Sequence, residues 1–388
     1  MVPSADVSRD RIDSPEVITL NIRKSITTFF AALCFVTLIA DTRTGISGAA
    51  AGIDICIRTL IPSLFPFFIL SILLTSSLTG QPINILRPTT KFCRIPKGYE
   101  SFLIIGFLGG YPVGAQNIAF AASQGTISEK DAQRMVAFCN NAGPAFIFGF
   151  LSQLFHNPFC PWMLWVIHVF SALLVGHILP GCSNSVATPT KSAPLSLSDA
   201  LDSSIRVIAR VCGWVIIFRI ILEFLRKWIL WAFPSWLQIL ITGLLELANG
   251  CVQLQILPSD GIKLVLSSVL LGFGGLCVFL QTHSLVGNLS LKFYIPGKIL
   301  HGAISFLLSY FAQLCFLREG SIRISPFVIS STVILILLFA LTIRKIEKPV
   351  AFSGALLYNQ TSCETRRRSC FSEKRSQNPA LTAFMAQN

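Results

Sequence analysis

The sequence predicts an all-α, polytopic membrane protein, with about eight spanning helices plus two re-entrant helical hairpins in an inverted repeat. Three observations carry this expectation. First, the 388 residues are 53% hydrophobic and only 13% charged, with a mean hydropathy of +0.67. Soluble domains carry about 25% charged residues. The chain has too little polar surface to coat a globule in water, so lipid must cover much of its outside. Second, two apolar runs of near-spanning length are broken in their middles, 101–122 by glycines and Pro112, and 237–254 by Gly243, Glu246, Asn249 and Gly250. Third, the two halves echo one another.

The formal net charge of +13 sits largely at the ends and in short loops: Arg9, Arg11, Arg23 and Lys24; Arg87, Lys91, Arg94 and Lys97; Arg344, Lys345, Lys348, Arg366, Arg367, Arg368, Lys374 and Arg375. Basic clusters also occur in nucleic-acid binders. In an apolar chain they mark cytoplasmic loops, so the expected surroundings are a lipid bilayer and no nucleic acid. Arg366–Arg368 is placed to meet anionic head groups. The twelve cysteines are scattered without CxxC spacing, and the five histidines form no ligand-spaced group. Neither a disulfide framework, a metal site nor a cofactor is expected.

Along the chain, residues 1–24 form a polar cytoplasmic segment. The first membrane half covers 25–180. Its opening run, Ile26–Ala40, has the length of a signal peptide, but Leu38 and Ala40 make a poor small-x-small cleavage site, so a retained helix is expected. Ile55–Thr75 carries Pro62 and Pro66, which remove backbone donors and bend a helix; this stretch is expected to face other helices. The run 101–122 contains Gly106, Gly109, Gly110, Pro112 and Gly114. A straight helix does not suit that content, and two half-helices joined by a glycine turn do. Ser128 and Asp131 then resemble a capping box, opening a helix that continues into Cys139–Phe155. Pro161–Leu179 is a plain span with Trp162 and Trp165 near one end, as an interfacial belt requires. Residues 181–200, rich in Ser, Pro, Thr and Asn, read as a linker. The second half, 201–343, holds spans at Ser204–Leu225, Ile262–Val286, Ile299–Phe316 and Ile324–Ile343, with a second broken segment at 237–254. A basic cytoplasmic tail, 344–388, ends the chain.

Asp54-x-x-Ile57-Arg58 opens the proline-bent span, and Asp202-x-x-Ile205-Arg206 opens its counterpart. Gly106-x-Leu108 and Gly243-x-Leu245 recur in the two broken segments. With the N-terminus inside and both broken segments re-entrant, both chain ends and the loop Arg87–Lys97 are cytoplasmic, and the second half runs opposite to the first. Secondary transporters use this plan, with the site at the repeat interface. Arg226 and Lys227 then fall outside, against the positive-inside rule.

The candidate site residues follow from this plan. Gly109, Gly110, Tyr111, Pro112 and Gly114 let the backbone turn and approach a solute, half-helix N-termini offer free N–H groups, and Asn117 adds a side-chain amide; the alternative is a glycine-rich packing face. Asn140 and Asn141, with Gly143 and Pro144, either bind solute or cap the unwound backbone of the neighbouring hairpin, because unpaired amides in hydrocarbon are costly. Glu246, with Asn249 nearby, is a buried carboxylate and hence a functional candidate for a cation, a proton or a solute hydroxyl; the alternative is an ion pair with Arg206 or Arg210. Arg210, one turn from Arg206, could instead grip a carboxylate or snorkel to the interface. Asp54 and Arg58 read as a structural pair. No nucleophile elbow, phosphate loop or HExxH is present, so an enzyme is not expected.

The segments Leu60-Ile-Pro-Ser-Leu-Phe-Pro-Phe-Phe68, Gly106-Phe-Leu-Gly-Gly-Tyr-Pro-Val-Gly-Ala115, Phe138-Cys-Asn-Asn-Ala-Gly-Pro-Ala-Phe-Ile147 and Leu244-Leu-Glu-Leu-Ala-Asn-Gly250 together resemble the YlbJ-type sporulation integral membrane proteins, of the nucleoside-recognition or Gate domain group. The resemblance covers about residues 50–345. It implies a transporter of a small polar or anionic solute, dipicolinic acid in YlbJ-type members, in a membrane surrounding the forespore. Relatives of the wider group imply instead a nucleoside or cation carrier of the same fold, and a non-transporting component of spore assembly is the third alternative. A Lys is expected after the GYPxGA motif in many relatives; here Gln116 stands there.

Overall fold

The computed structural model describes residues 15–78, 81, 83–180, 195–317 and 325–346. Most of the expected N-terminal segment, linker residues 181–194, and the tail after Ile346 with its Arg366–Arg368 cluster lie outside the described residues. By contacts the chain divides into a compact unit through Ala340 and a second, Leu341–Asn388, of which only the final turns of one helix are described.

Among the described residues every regular element is a helix. They are α1 (Pro15–Ala40), α2 (Thr42–Ile55), α3 (Ile61–Leu78), α4 (Arg87–Phe92), α5 (Ser101–Leu108), α6 (Val113–Ser123), α7 (Glu129–Phe138), α8 (Cys160–Ile178), α9 (Leu197–Trp228), α10 (Ser235–Leu245), α11 (Leu247–Gln253), α12 (Asp260–Phe273), α13 (Gly275–Leu285), α14 (Tyr294–Phe316) and α15 (Pro326–Ile346), with shorter turns between. Four stretches among the described residues are long and apolar enough to cross a membrane: Thr42–Leu78, Cys160–Ile178, Asp260–Leu285 and Tyr294–Phe316. Shorter apolar helices accompany them, Ala145–Leu154, Ser235–Leu245 and Pro326–Leu341 among them. α9 falls outside the four because it carries charges along much of its length, from Asp199 to Lys227.

α2 and α3 form one continuous rod through a π-helical turn, Cys56–Leu60. That wider turn lies immediately before Pro62, where a missing N–H and a ring would disrupt an ordinary turn. Ser63 Oγ donates to the carbonyls of Thr59 at 2.6 Å and Leu60 at 3.3 Å within this stretch. The stretch faces other helices as expected, packing on α9, α5 and the turn Ala145–Phe150, but Pro62 and Pro66 themselves are exposed, and a hydroxyl on the same helix meets the local backbone.

The α2–α3 rod packs antiparallel on α9, its counterpart in the sequence repeat. Lys227 pairs with Asp41 at one end, and at the other Leu195 N–H donates to Ser76 Oγ at 3.2 Å. The Lys227 ammonium, with Thr44, holds the Asp41 carboxyl below the usual carboxylate range. Between these ends, a Cβ on Gly48 or Gly52 would collide with the backbone of Ile220 or Ile216. Small residues thus let the two backbones approach. Asp54 and Arg58 pair as expected, on the exposed side.

The two broken segments are helical hairpins. Tyr99, before α5, donates through its hydroxyl to the carbonyl of Thr126, beyond α6, so the arms return to the same level. α10 and α11 fold back at Glu246, and a Cβ on Gly250 would strike the backbone of Gly243. The hairpins approach from opposite ends of α8. Arg134 and Cys93, near the base of the first, bond to carbonyls of Gly176 and Leu173 late in α8. Beyond the second hairpin, Asp260 accepts from the N–H groups of His156 and Asn157, just before α8 starts.

Two further helices expected to be continuous are interrupted. Ser128 caps α7 as its sequence suggests, accepting from Asp131 N–H at 3.1 Å. The helix then stops at Phe138 with Cys139 as its cap, and residues 140–143 lie outside any helix before Pro144 and a π-helical turn, Ala145–Phe150. Pro144 prevents Asn140 from accepting an ordinary helical bond. α12 and α13 are separated at Gly274 and Gly275, with φ of +83° and +84°, a conformation costly for residues with a Cβ. Other boundaries also shift: the first helix starts at Pro15, ahead of residue 25, since proline is well suited to a first helical turn. Large apolar side chains, such as Phe29, Leu70, Phe120 and Phe311, cover the outside. Trp162, Trp228, Trp231 and Trp236 are exposed where α8 starts, α9 ends and α10 begins, an aromatic belt more extensive than the Trp162 and Trp165 pair.

Gly250→Ala should lower the thermal midpoint of the detergent-solubilised protein by the equivalent of about 1–3 kcal/mol, the usual cost of overpacking. Gly213→Ala, at an open helical position, should leave it unchanged or raise it by up to ~1 kcal/mol. Equal behaviour of the two variants would contradict the contact between the hairpin arms.

Candidate functional site

The two hairpin tips and the first helix interruption line one small cavity of about 50 Å³, and the second interruption packs on both tips, Gly274 against Tyr111 and Gly275 against Gly243 and Leu247. Gly110 and Tyr111 come from the first tip, Glu246, Leu247 and Ala248 from the second, Ala142 and Gly143 from the first interruption, and Gln281 from α13. Leu60 and Leu64 on the α2–α3 rod and Val211 and Val215 on α9 close its apolar side. Each of these elements therefore gives part of the wall.

At the first tip, Gly110 has a φ of +73°, and a Cβ there would press on Gly143 N at 3.2 Å. The Tyr111–Pro112 peptide is cis. Tyr111 reaches across the site and donates to Leu271 O at 2.8 Å. That carbonyl lies in the last turn of α12, where no helical N–H is available to it. Gly106 and Gly114, one on each arm, leave no room for a Cβ against the carbonyl of Cys139. Gly109 packs between Ile105 and Val113 at the bend, and Pro112 precedes the first turn of α6.

Asn140 is fully buried and holds this tip in place. Its Oδ1 accepts from Ala115 N–H, at the start of α6, at 3.4 Å. Its Nδ2 donates to Thr282 Oγ1 at 3.0 Å and Tyr294 Oη at 3.1 Å. Of the two roles open to Asn140 in the sequence, capping the neighbouring hairpin is the one its bonds serve. Asn141 Nδ2 donates to Phe138 O at 2.7 Å, and its Oδ1 accepts from Lys298 Nζ at 3.1 Å. Asn117 bonds to Val113 O on its own helix at 2.9 Å. It faces a larger open vestibule of about 800 Å³, bounded also by Ile72, Glu129, Leu195 and Asn288. The vestibule thus reaches α6 within roughly two turns of the tip.

At the second tip, Glu246 caps α11. Its carboxylate accepts from Ala248 N–H at 3.0 Å, Asn249 N–H at 2.7 Å and Asn249 Nδ2 at 2.6 Å. A carboxylate at a helix N-terminus is favoured by the free N–H groups and the local dipole. Asn249 Oδ1 in turn accepts from Arg219 at 2.7 Å, and Arg219 pairs with Glu223 at 2.7 Å. The expected partner was Arg206 or Arg210. Both are exposed on α9, Arg206 bonding to Ser203, so Arg210 does not belong to the cavity. Helical phase decides this: Arg219 lies on the face toward α11, while Arg210 lies on the outer face.

Lys298 is a buried side chain beside the cavity that sequence reasoning missed. It is 1% exposed. Its ammonium donates to Asn140 O and Asn141 Oδ1 and lies over the rings of Tyr111 at 5.1 Å and Tyr294 at 5.7 Å. Behind it, His168 and His301 stack with centroids 4.7 Å apart. The expected span began at Ile299, which left Tyr294–Lys298, with Pro296 and Gly297, outside it. Both residues fall in the first turn of α14, where helices tolerate them. The spacing of Tyr294, Lys298 and His301 on one helical face was the signal available.

Over 327 residues, 71% of this chain and 79% of the relative, the sequence is 26% identical to the sporulation integral membrane protein YlbJ of Bacillus subtilis (strain 168). The resemblance to YlbJ-type proteins carried by the motifs is thereby shown over most of the chain. No family model matches, and no solved structure does.

Asn140→Leu should destabilise the protein by about 1–3 kcal/mol, because it leaves buried donors and acceptors unpaired. It should also speed amide exchange in the first turn of α6. Arg210→Ala should change stability by less than about 0.5 kcal/mol. Matching midpoints and exchange patterns for the two variants would contradict the role given to Asn140.

Proposed function

We propose that this chain is a multi-pass membrane carrier, not an enzyme, moving a small polar or anionic solute through the cavity between its hairpin tips. The observation that carries this reading is the convergence of four helix interruptions on one point. Broken helices inside an apolar body leave peptide groups without intrahelical partners, and such sites are kept where a polar cargo or water meets them. In the bilayer we place eight passes: α1, the α2–α3 rod, α7 with Ala145–Leu154, α8, α9, α12 with α13, α14, and α15. The two hairpins enter from opposite faces, which gives an inverted repeat. The vestibule and the basic loop Arg87–Lys97 lie together on the cytoplasmic side. Arg226 and Lys227 then lie outside; their pairing with Glu223 and Asp41 offsets the breach of the positive-inside rule.

The cavity of about 50 Å³ holds only about one or two waters, far less than a site for an organic solute. The described arrangement therefore corresponds to a closed state, and transport requires the tips to part. The named relative supports a role in sporulation, and the family resemblance adds a membrane around the forespore and dipicolinate as a candidate cargo. Glu246 lining the cavity favours a second reading, a nucleoside or cation carrier of the Gate type, because a carboxylate accepts from ribose hydroxyls and attracts cations but repels a dianion.

Membrane vesicles containing the purified full chain should take up dipicolinate or uridine. Glu246→Gln should cut uptake at least tenfold, on the order of 1.4 kcal/mol or more, and should also lower the thermal midpoint because an amide leaves part of the α11 cap unpaired. A deletion strain should form spores depleted of dipicolinate. If neither solute enters under any ion gradient and the spores keep their dipicolinate, the third alternative, a non-transporting component of spore assembly, replaces this reading.

A further inference from the structure

Lys298 is a buried cation without a counter-ion. Among the described residues no carboxylate lies within ion-pair distance of it. Its two hydrogen bonds, to Asn140 O and Asn141 Oδ1, occupy two of the three ammonium donors. Both acceptors belong to the interrupted segment that walls the cavity, and the ring of Tyr111 lies between the ammonium and the cavity.

The titratable groups around Lys298 do not supply a negative charge. From the first hairpin comes Tyr111, whose hydroxyl donates to Leu271 O. From α8 comes His168, whose Nε2 accepts from Ala142 N–H and so bears no proton. On α14 itself lie Tyr294, bonded to Asn140, and His301, whose Nε2 must be the donor to His168 O. The Nδ1 atoms of both histidines are buried and have no partner. Cys139 flanks the interrupted segment. On α7, Arg134 is directed away, to the carbonyls of Cys93 and Gly176. On α12, Asp260 and Lys263 bond to His156, Asn157 and Leu154 at the far end. His168 is thus a neutral tautomer in this arrangement, neither imidazole adds a negative charge, and the ammonium is met by carbonyl and amide oxygens and ring faces. That is a weak balance for an ion removed from water.

We infer that Lys298 is the proton-binding site that couples solute movement to the proton gradient. This rests on the carrier reading above. With the proton on, the ammonium ties Asn140 and Asn141 to α14 and packs on Tyr111, which holds the first tip closed. With the proton passed to water on the side to which the site is open, the remaining amine keeps two N–H donors and one lone pair. Its hold on carbonyl oxygens and rings is weaker, so the interrupted segment and the tip can move. On the return step the amine takes a proton from water on the opposite side. No redox partner is needed, and one proton crosses per cycle.

The test uses the full chain in proteoliposomes with membrane potential clamped at zero, and radiolabelled dipicolinate and uridine as probes. An inward gradient of about one pH unit should drive roughly tenfold accumulation of the transported probe, the limit for one proton per solute. A sodium gradient should drive none. Lys298→Met keeps the apolar stem and removes the charge. It should retain solute counterflow while losing accumulation driven by the pH gradient, with a thermal midpoint lowered by the loss of the bonds to Asn140 O and Asn141 Oδ1. Accumulation by Lys298→Met equal to the wild type, or wild-type uptake driven by sodium and not by protons, overturns the inference while the carrier reading stands. Absence of counterflow in the wild type overturns both. Should Lys298→Met fail to insert, Lys298→Gln and the wild-type choice between proton and sodium gradients separate the same outcomes.

Discussion

A peptide group released from a helix inside an apolar body must find another partner, and the centre of this molecule is organised by that requirement. Four helices stop near one point, and the groups they release are met by a small set of side chains. Asn140 takes the N–H of Ala115, Tyr111 takes the carbonyl of Leu271, Glu246 takes the N–H groups of Ala248 and Asn249, and Lys298 takes the carbonyl of Asn140. An unpaired buried polar group costs several kcal/mol in such surroundings. Each of these side chains therefore fixes a piece of backbone that no regular structure could fix.

The glycines belong to the same logic. Gly106, Gly114, Gly243 and Gly250 stand where a Cβ would meet a close neighbour, backbone at Gly106, Gly114 and Gly250 and the Leu270 side chain at Gly243. The hairpin arms and the interrupted segment thus approach more closely than side chains allow. Close approach is what brings the bonding side chains within reach of the released peptide groups. The packing explanation of the glycine-rich motif and the binding explanation are accordingly not rivals. The tip turns because glycine permits it, and the arms pack because glycine leaves space.

The charges divide into two kinds. Arg219, Glu223 and Glu246 form a connected group with helix N–H donors and Asn249, and Lys227 and Asp41 close one end of the antiparallel pair of long helices. Lys298 stands apart, because carbonyl oxygens and aromatic faces surround it where a carboxylate would otherwise be expected. The first kind holds elements together. The second leaves a charge whose balance changes if a proton leaves or the neighbouring backbone shifts.

Much of the architecture could be read from residue order alone. Apolar excess required helices covered by lipid, and glycine and proline inside 101–122, with Gly243, Glu246, Asn249 and Gly250 inside 237–254, pointed to breaks there, because these residue types act on the backbone locally. Gly110, Tyr111, Gly143 and Glu246 were legible for the same reason. Helical phase and inter-helix distance are not local. They removed Arg210 from the site and turned Asn140 into a cap, and they exposed Pro62 and Pro66. They also brought Lys298 from a distant helix to Asn140 and Asn141. Composition and backbone stereochemistry settled where the chain must break; which side chains meet at the breaks was decided only when separate helices packed, since no spacing in a sequence encodes the rotation of one helix against another.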